Sequence, residues 1–358
     1  MMDSQQLKRW AQILVDHSTR LQPGEVAMIF AYHDLAKPLL LALYREVLRK
    51  DPKEIIVSVD LEEVQDLLIR EAPAEFLART PELELYMTEH TDVWFGLRAY
   101  ANTRHLSTVR EGRMAEWYKM RRPILDERVE HTRWVLTEYP TQSRAQEADM
   151  SLEEWETFVF DAVDQDWAAF GESQAALVDR FNRGREVRIV GEETDLTLSV
   201  EGRTFVSADG DYNMPDGEFF TGPVESSAQG HIAYTYPGIF LGHEVDGVRL
   251  SFEDGKVVKA SAEKNEAFLL EMLNTDRGAR YLGELGIGNN FQIDRFVKNI
   301  LLDEKIGGSV HLALGKSYSE TGGKNDSAIH WDMIKDLRRG GEIYLDGDLM
   351  QKDGKWLL

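Results

Sequence analysis

The feature that most constrains the fold is a change of hydrophobic rhythm near the middle of the chain. Up to about residue 140, short apolar runs recur: GEVAMIF (24–30), KEIIVSV (53–59), DVWFGL (92–97) and TRWVLTEYP (132–140). Segments of helical period separate them, among them 34–50, a helix despite its early Pro38, then 60–71 and 111–129. Strands alternating with helices predict a mainly parallel sheet covered on both faces. The stretch 151–184 is helical in period and opens with Ser151 and Glu154 at capping-box spacing. From residue 185 onward the pattern becomes short strands divided by glycine-bearing turns, ending in two Asp-Gly pairs that mark hairpins. The expectation is an α/β chain in two domains. Residues 1–180 form an N-terminal α/β domain whose mainly parallel sheet has flanking helices, and 181–358 form a strand-rich α+β C-terminal domain. A length of 358 residues is itself too great for one ordinary core.

Charge and missing motifs exclude several functions. The 63 Asp and Glu outnumber the 41 Lys and Arg, for a formal charge of −22, a field that repels polynucleotides and anionic membranes. Neither nucleic acid nor membrane is an expected partner. No G-x-G-x-x-G follows the first strand and no phosphate-binding G-x-x-x-x-G-K-[ST] occurs. The amino-terminal stretch lacks the apolar core of a signal peptide, and no run approaches the ~20 apolar residues of a membrane helix. A soluble cytoplasmic protein is the simplest reading. With no cysteine, disulfides and thiolate chemistry are excluded, and His, Asp and Glu remain as strong metal ligands.

Such ligands recur in the second half. In SAIHWDMI (327–334), His330 and Asp332 are two apart, so a strand projects both to one face while Ile329, Trp331 and Met333 pack the other. Alone, the pair reads as a solvated strand face. His311 alternates with Val310 and Leu312 in SVHLALG and reads equally as a hydrogen-bonded core histidine. Glu218 follows a Pro-Asp-Gly turn, Glu284 lies between glycines whose spacing suits close backbone approach to something bound, and Glu304 stands beside Lys305. Taken singly, Glu218 and Glu284 read equally as exposed turn acids, and Glu304 as a helix or turn charge. Together, two His and several carboxylates without thiolate suit divalent zinc, cobalt, manganese or magnesium. If Glu218, Glu284, Glu304 and Asp332 converge, two divalent ions balance four negative charges that a dry cleft would not tolerate.

These stretches, with YPTQSRAQEADMSLEEW (139–155), resemble the M29 metallo-aminopeptidases over most of the chain. That family's ordered Glu, Glu, Glu, His, Tyr, His, Asp is matched by Glu218, Glu284, Glu304, His311, Tyr318, His330 and Asp332. The resemblance implies that all but Tyr318 are metal ligands, that Tyr318 is the catalytic tyrosine, and that Glu284 also steers the attacking water and accepts its proton. It further implies a homodimer with two divalent ions that removes the first residue from peptides with a free N-terminus. The alternative is a mononuclear Fe(II) ring-cleaving dioxygenase of the related dihydroxypyridine type, with His311, His330 and Asp332 as its two-His, one-carboxylate set.

Overall fold

The computed structural model describes residues 2–110 and 112–357. It contains two compact units: residues up to Gln165 together with Gly210–Pro215, and Asp166–Asp209 together with Asp216 onward.

In the first unit the sheet runs in the order Glu54–Val59, Val26–Ala31, Val93–Arg98, Arg133–Glu138 and Asn213–Met214, every pairing parallel. Val26–Ala31 is buried along its whole length, whereas the edge strand Glu54–Val59 is largely exposed. A strand covered on both faces needs a continuous apolar run, and an edge strand does not. The helices follow local chemistry. Asp3 and Gln6 form a capping box that starts Ser4–Gln12, and Ser151 with Glu154 does the same for Leu152–Val163. Pro38 is tolerated because it occupies the first turn of Lys37–Leu48, where its missing N–H would have no helical partner. The helical stretch from 151 is two helices, because Asp166 accepts a hydrogen bond from the Ala169 N–H and caps a new one, Trp167–Phe181.

The second unit holds two antiparallel sheets and a small hairpin. The eight-stranded sheet runs Lys256–Ser261, Arg249–Glu253, Gln229–Ala233, Thr194–Ser199, Glu186–Gly191, Glu342–Leu345, Asp348–Lys352, Lys355–Trp356. Its last two turns are the Asp-Gly pairs, with positive φ at Asp346, Gly347, Asp353 and Gly354, as type I′ hairpins require. The five-stranded sheet runs His330–Asp336, Ser309–Gly315, Leu282–Gly288, Glu218–Thr221, Val206–Ala208. Register decides what its faces carry. Ala313 pairs with both Asp332 and Glu284, His311 pairs with Gly286, and Gly288 pairs with Glu218. Residues opposite each other share a face and side chains alternate with period two, so Glu218, Glu284, His311, His330 and Asp332 all project one way. Phe219, Leu285, Ile287, Val310, Leu312, Leu314, Trp331 and Met333 project the other way, into the unit's hydrophobic core.

Candidate metal centre

Burial of the projecting acids is what makes this face chemically unusual. Glu218, Glu284 and His311 are buried, and His330 and Asp332 are partly buried. Glu218 and Glu284, which singly read equally as exposed turn acids, are strand residues inside the unit. Glu284 reaches both histidines, with Oε1 3.3 Å from His311 Nε2 and Oε2 3.3 Å from His330 Nε2. His311 Nε2 also lies 3.1 Å from Glu218 Oε2, and His330 Nε2 lies 3.5 Å from Asp332 Oδ2. Glu304 arrives from outside the sheet, just past the Ile300–Asp303 helical turn. That segment is fixed by Asp303, whose carboxylate accepts the Val297 and Asn299 N–H groups at 2.7 Å each. Two donor groups result, each with atoms near enough to share an ion: Glu218, Glu304 and His311, and Glu284, His330 and Asp332.

The glycines around Glu284 serve a different purpose from the one expected. A Cβ on Gly286 would stand 2.0 Å from both Cε1 and Nε2 of His311, so the close approach there is by the protein's own imidazole. On Gly283 it would meet the Lys316 and Gly315 carbonyl oxygens at 2.2 and 2.4 Å.

Without an ion the charges compensate one another unevenly. Burial pushes Glu218 up to about 8, beyond what Lys305 offsets. Burial also acts to raise Glu284, but hydrogen bonds from His311 and His330 prevail and take it down to about 2. Both imidazoles go up to about 10; burial opposes the rise, and Glu218 and Glu284 overcome it at His311, Asp332 and Glu284 at His330. Burial lifts Asp332 to about 6. Tyr318 sits above the face, its ring 5.1 Å from that of His330. The residue is half-exposed, but desolvation of its hydroxyl, with Glu284, Asp332, Glu304 and Glu218 nearby, raises the phenol above its ordinary range and keeps it a hydrogen-bond donor.

Sequence reasoning missed Lys305 and Asp216 as members of this cluster. The Lys305 side chain has no exposure; Nζ donates to Glu218 Oε1 at 3.1 Å, bonds the adjacent Glu304, and stands 3.8 Å from Asp216 Oδ1. A lysine next to a glutamate in a turn looks solvated, and no local pattern announces its burial. Lys305 and Asp216 bring opposite charges, so adding them leaves the net charge of the cluster unchanged.

A divalent cation fits these donors. His330 Nδ1 donates to the Lys316 carbonyl at 2.8 Å, which leaves Nε2 to face the carboxylates, the orientation expected of a metal-binding imidazole. His311 has no such outer support, since its Nδ1 is buried without a partner among the described residues. Asp332 Oδ1 is likewise buried without a hydrogen bond, a costly state for a carboxylate oxygen unless a cation faces it, whereas Glu218 Oε2 meets only the His311 imidazole.

Fold and donor set together suit a metal-dependent enzyme, and comparison with known proteins gives its kind. The family profile of the thermophilic metalloproteases (M29) matches residues 3–356, and the chain belongs to that family. It is a hydrolase of the metallo-aminopeptidase class. Aminopeptidase 2 of Geobacillus stearothermophilus is 27% identical, with 98% of this chain and 95% of that protein aligned. Aminopeptidase AmpS of Bacillus subtilis (strain 168) is 26% identical over 99% and 98% of the two chains. The fold is shared with wild-type AmpT from Thermus thermophilus, at a TM-score of 0.85 with 99% of each chain covered and 22% identity. None of these findings favours the dioxygenase, and the structure distributes its His311, His330 and Asp332 over both donor groups. Among the described residues, no helix is long and apolar enough to cross a membrane.

Proposed function

We propose that the chain hydrolyses the first peptide bond of peptides with a free N-terminus at a two-ion centre. Glu218, Glu304 and His311 hold one divalent cation, and Glu284, His330 and Asp332 hold the other. The supporting observation is Glu284, whose two oxygens reach one histidine of each donor group at equal distance. Bound divalent ions supply Lewis acidity and a water acidic enough to ionise near neutral pH. The protein's residues do the rest. Glu284 orients that water and takes its proton, and Tyr318 donates its hydroxyl hydrogen to the oxygen that gains charge as the carbonyl is attacked. Lys305 holds Glu218 and Glu304 in place through charge-assisted hydrogen bonds.

The test joins metal analysis to rates on Leu- and Phe-anilides. Two ions per chain, loss of activity with a chelator, its return with zinc, cobalt, manganese or magnesium, and a large loss of kcat/KM on N-acetylation of the substrate are expected. One iron per chain with substrate-dependent oxygen uptake refutes the reading. The proposal includes a homodimer, checked by light scattering, and a cytoplasmic location, checked by cell fractionation.

A further inference from the structure

The first unit contains a cavity of about 410 Å³ with its own chemistry. It lies over one face of the parallel sheet, lined by Met28, Phe30, Trp94 and Leu136, and is closed by residues of the Arg113–His131 helix such as Trp117 and Arg128. Its position follows from topology. The strand order Glu54–Val59, Val26–Ala31, Val93–Arg98, Arg133–Glu138 leads the chain out from Val26–Ala31 to one side and then to the other. In open parallel sheets the crevice beyond the carboxyl ends of the strands at such a reversal is where ligands bind. The cavity is lined by residues at those ends: Tyr32, Asp60, and Arg98 with Tyr100. They are also in register. Ala31 pairs with Val59 and with Leu97, so Asp60, Tyr32 and Arg98 stand in a row across three neighbouring strands.

The row sets opposite charges at its two ends without closing either into a direct ion pair. Arg98 and Arg128 line the cavity, and neither forms an ion pair among the described residues; Asp60 forms none either. By contrast the other charges in the wall are engaged, Arg121 with Glu84 and Glu62 with His105. Arg128 is set over the rings of Trp94 and Trp134, at 4.4 and 5.0 Å, with its Nε buried and unpartnered. Burial holds its guanidinium below the usual value, and repulsion from Arg98 and Arg121 adds to this. The Trp94 ring folds back over Gly96, where a Cβ would come within 2.3 Å of it, and so forms a flat apolar wall. Tyr32 and Tyr100, with Glu138 beyond them, favour the Arg98 charge, and Tyr32 also bonds Arg128, yet neither guanidinium has an ion pair of its own among the described residues. Such a buried pair beside aromatic rings suits a planar anion, since arginine binds carboxylates through its fork. Asp60, two strand spacings or about 10 Å from Arg98 along the row, calls for a cation at the other end. A polyphosphate would meet repulsion from Asp60, Glu62 and Glu84.

We propose that this cavity is a second ligand site, for a zwitterionic amino acid or dipeptide with an aromatic side chain. Its carboxylate lies on Arg98 and Arg128, its ammonium group faces Asp60, and its ring packs against Trp94 and Trp117. The inference stands apart from the two-ion reading of the metal centre. If the chain releases free amino acids, the site senses the class of molecule the reaction produces.

Calorimetric titration of the full, metal-loaded chain with L-phenylalanine tests it, beside 3-phenylpropionate, which lacks the ammonium, and phenethylamine, which lacks the carboxylate. Each partial ligand is expected to bind at least about tenfold more weakly than phenylalanine, the loss of one charged contact. Arg98→Met and Asp60→Asn are each expected to weaken phenylalanine by a similar factor, and Asp332→Asn, at the metal centre, to leave it within about twofold. Circular dichroism checks folding; should Arg98→Met not fold, Arg98→Lys and Asp60→Asn carry the comparison. The proposal is overturned by absence of phenylalanine binding, by equal binding of phenylpropionate, or by binding that Asp332→Asn abolishes and the cavity variants preserve. Because the readout is binding, failure of the hydrolytic mechanism would leave these outcomes unchanged.

Discussion

Gly286→Ala tests whether the sheet surface beneath the metal centre is as tightly specified as the geometry indicates. The added methyl carbon would lie 2.0 Å from Cε1 and Nε2 of His311 and 2.8 Å from Cδ2. Non-bonded carbons sit about 3.5–4.0 Å apart, so ring and methyl must separate by roughly 1.5 Å or more. The ring has little room to retreat: His311 is 1% exposed, with Glu218 at 3.1 Å and Glu284 at 3.3 Å from its Nε2. Overpacking of this kind costs about 1–3 kcal/mol. The functional loss should be larger in proportion, because a displacement of about 1 Å in a reacting constellation costs around 10²-fold. Urea unfolding, metal content by mass spectrometry and anilide hydrolysis are to be measured together. The expected result is a folded protein with a lower midpoint, a deficit of one metal per chain, and hydrolysis down by about 10² or more. Gly191→Ala is the control, since its Cβ would meet nothing nearer than Lys335 Cε at 3.4 Å; stability should hold or rise by roughly a few tenths of a kcal/mol. A Gly286→Ala protein with full metal, full activity and an unchanged midpoint refutes the reasoning.

Other substitutions probe neighbouring parts. Lys305→Met removes a fully buried cation facing Glu218, Glu304 and Asp216; the ion-free protein should lose about 3–5 kcal/mol in urea unfolding, and added Mn²⁺ or Zn²⁺ should restore part of it. An unchanged midpoint would mean the ion pairs are dispensable. Tyr318→Phe should leave metal content intact and lower kcat by about 10²–10³, the usual loss for one oxyanion donor, and a variant with undiminished kcat removes Tyr318 from the chemistry. Away from the centre, burial acts to raise the Asp336 carboxyl, but hydrogen bonds from Arg338 and Tyr236 outweigh it and hold the group below its usual value. A depressed carboxyl stabilises above its unfolded pKa and ceases to as pH falls through the folded one. Asp336→Asn should therefore cost about 1–3 kcal/mol at pH 7, with the gap closing below about pH 4, and a gap that does not vary with pH contradicts this account.

The strands and hairpins were legible because their signals are local. Val26–Ala31 is a continuous apolar run, the Asp346-Gly347 and Asp353-Gly354 turns need positive φ, and the alternation around His311 and His330 fixes which way each points. The membership of the cluster was legible from residue type, its charge and the family resemblance. What escaped was set by tertiary context. Nothing near Lys305 in sequence indicates that Asn290, which donates its N–H to the Lys305 carbonyl, draws that segment inward. The glycines beside Glu284 carried a true signal of close approach with the wrong object, because pairing of Gly286 with His311 is a fact of the sheet alone. The break in the 151–184 helical stretch turned on whether Asp166 caps a helix or continues one, which periodicity does not distinguish.

The placement of five of the six donors on one sheet face means that the centre is encoded in the parity of residue positions. A single-residue deletion inside Ser309–Gly315, or in the other strand after the irregularity at Gly283, would preserve nearly every amino acid and still turn the downstream half of the strand over, moving core residues to the donor face and donors to the core. Length changes within these strands should therefore be fatal where many point substitutions are survivable. Related chains should vary in length at the loops between the strands, with their strand interiors constant in length.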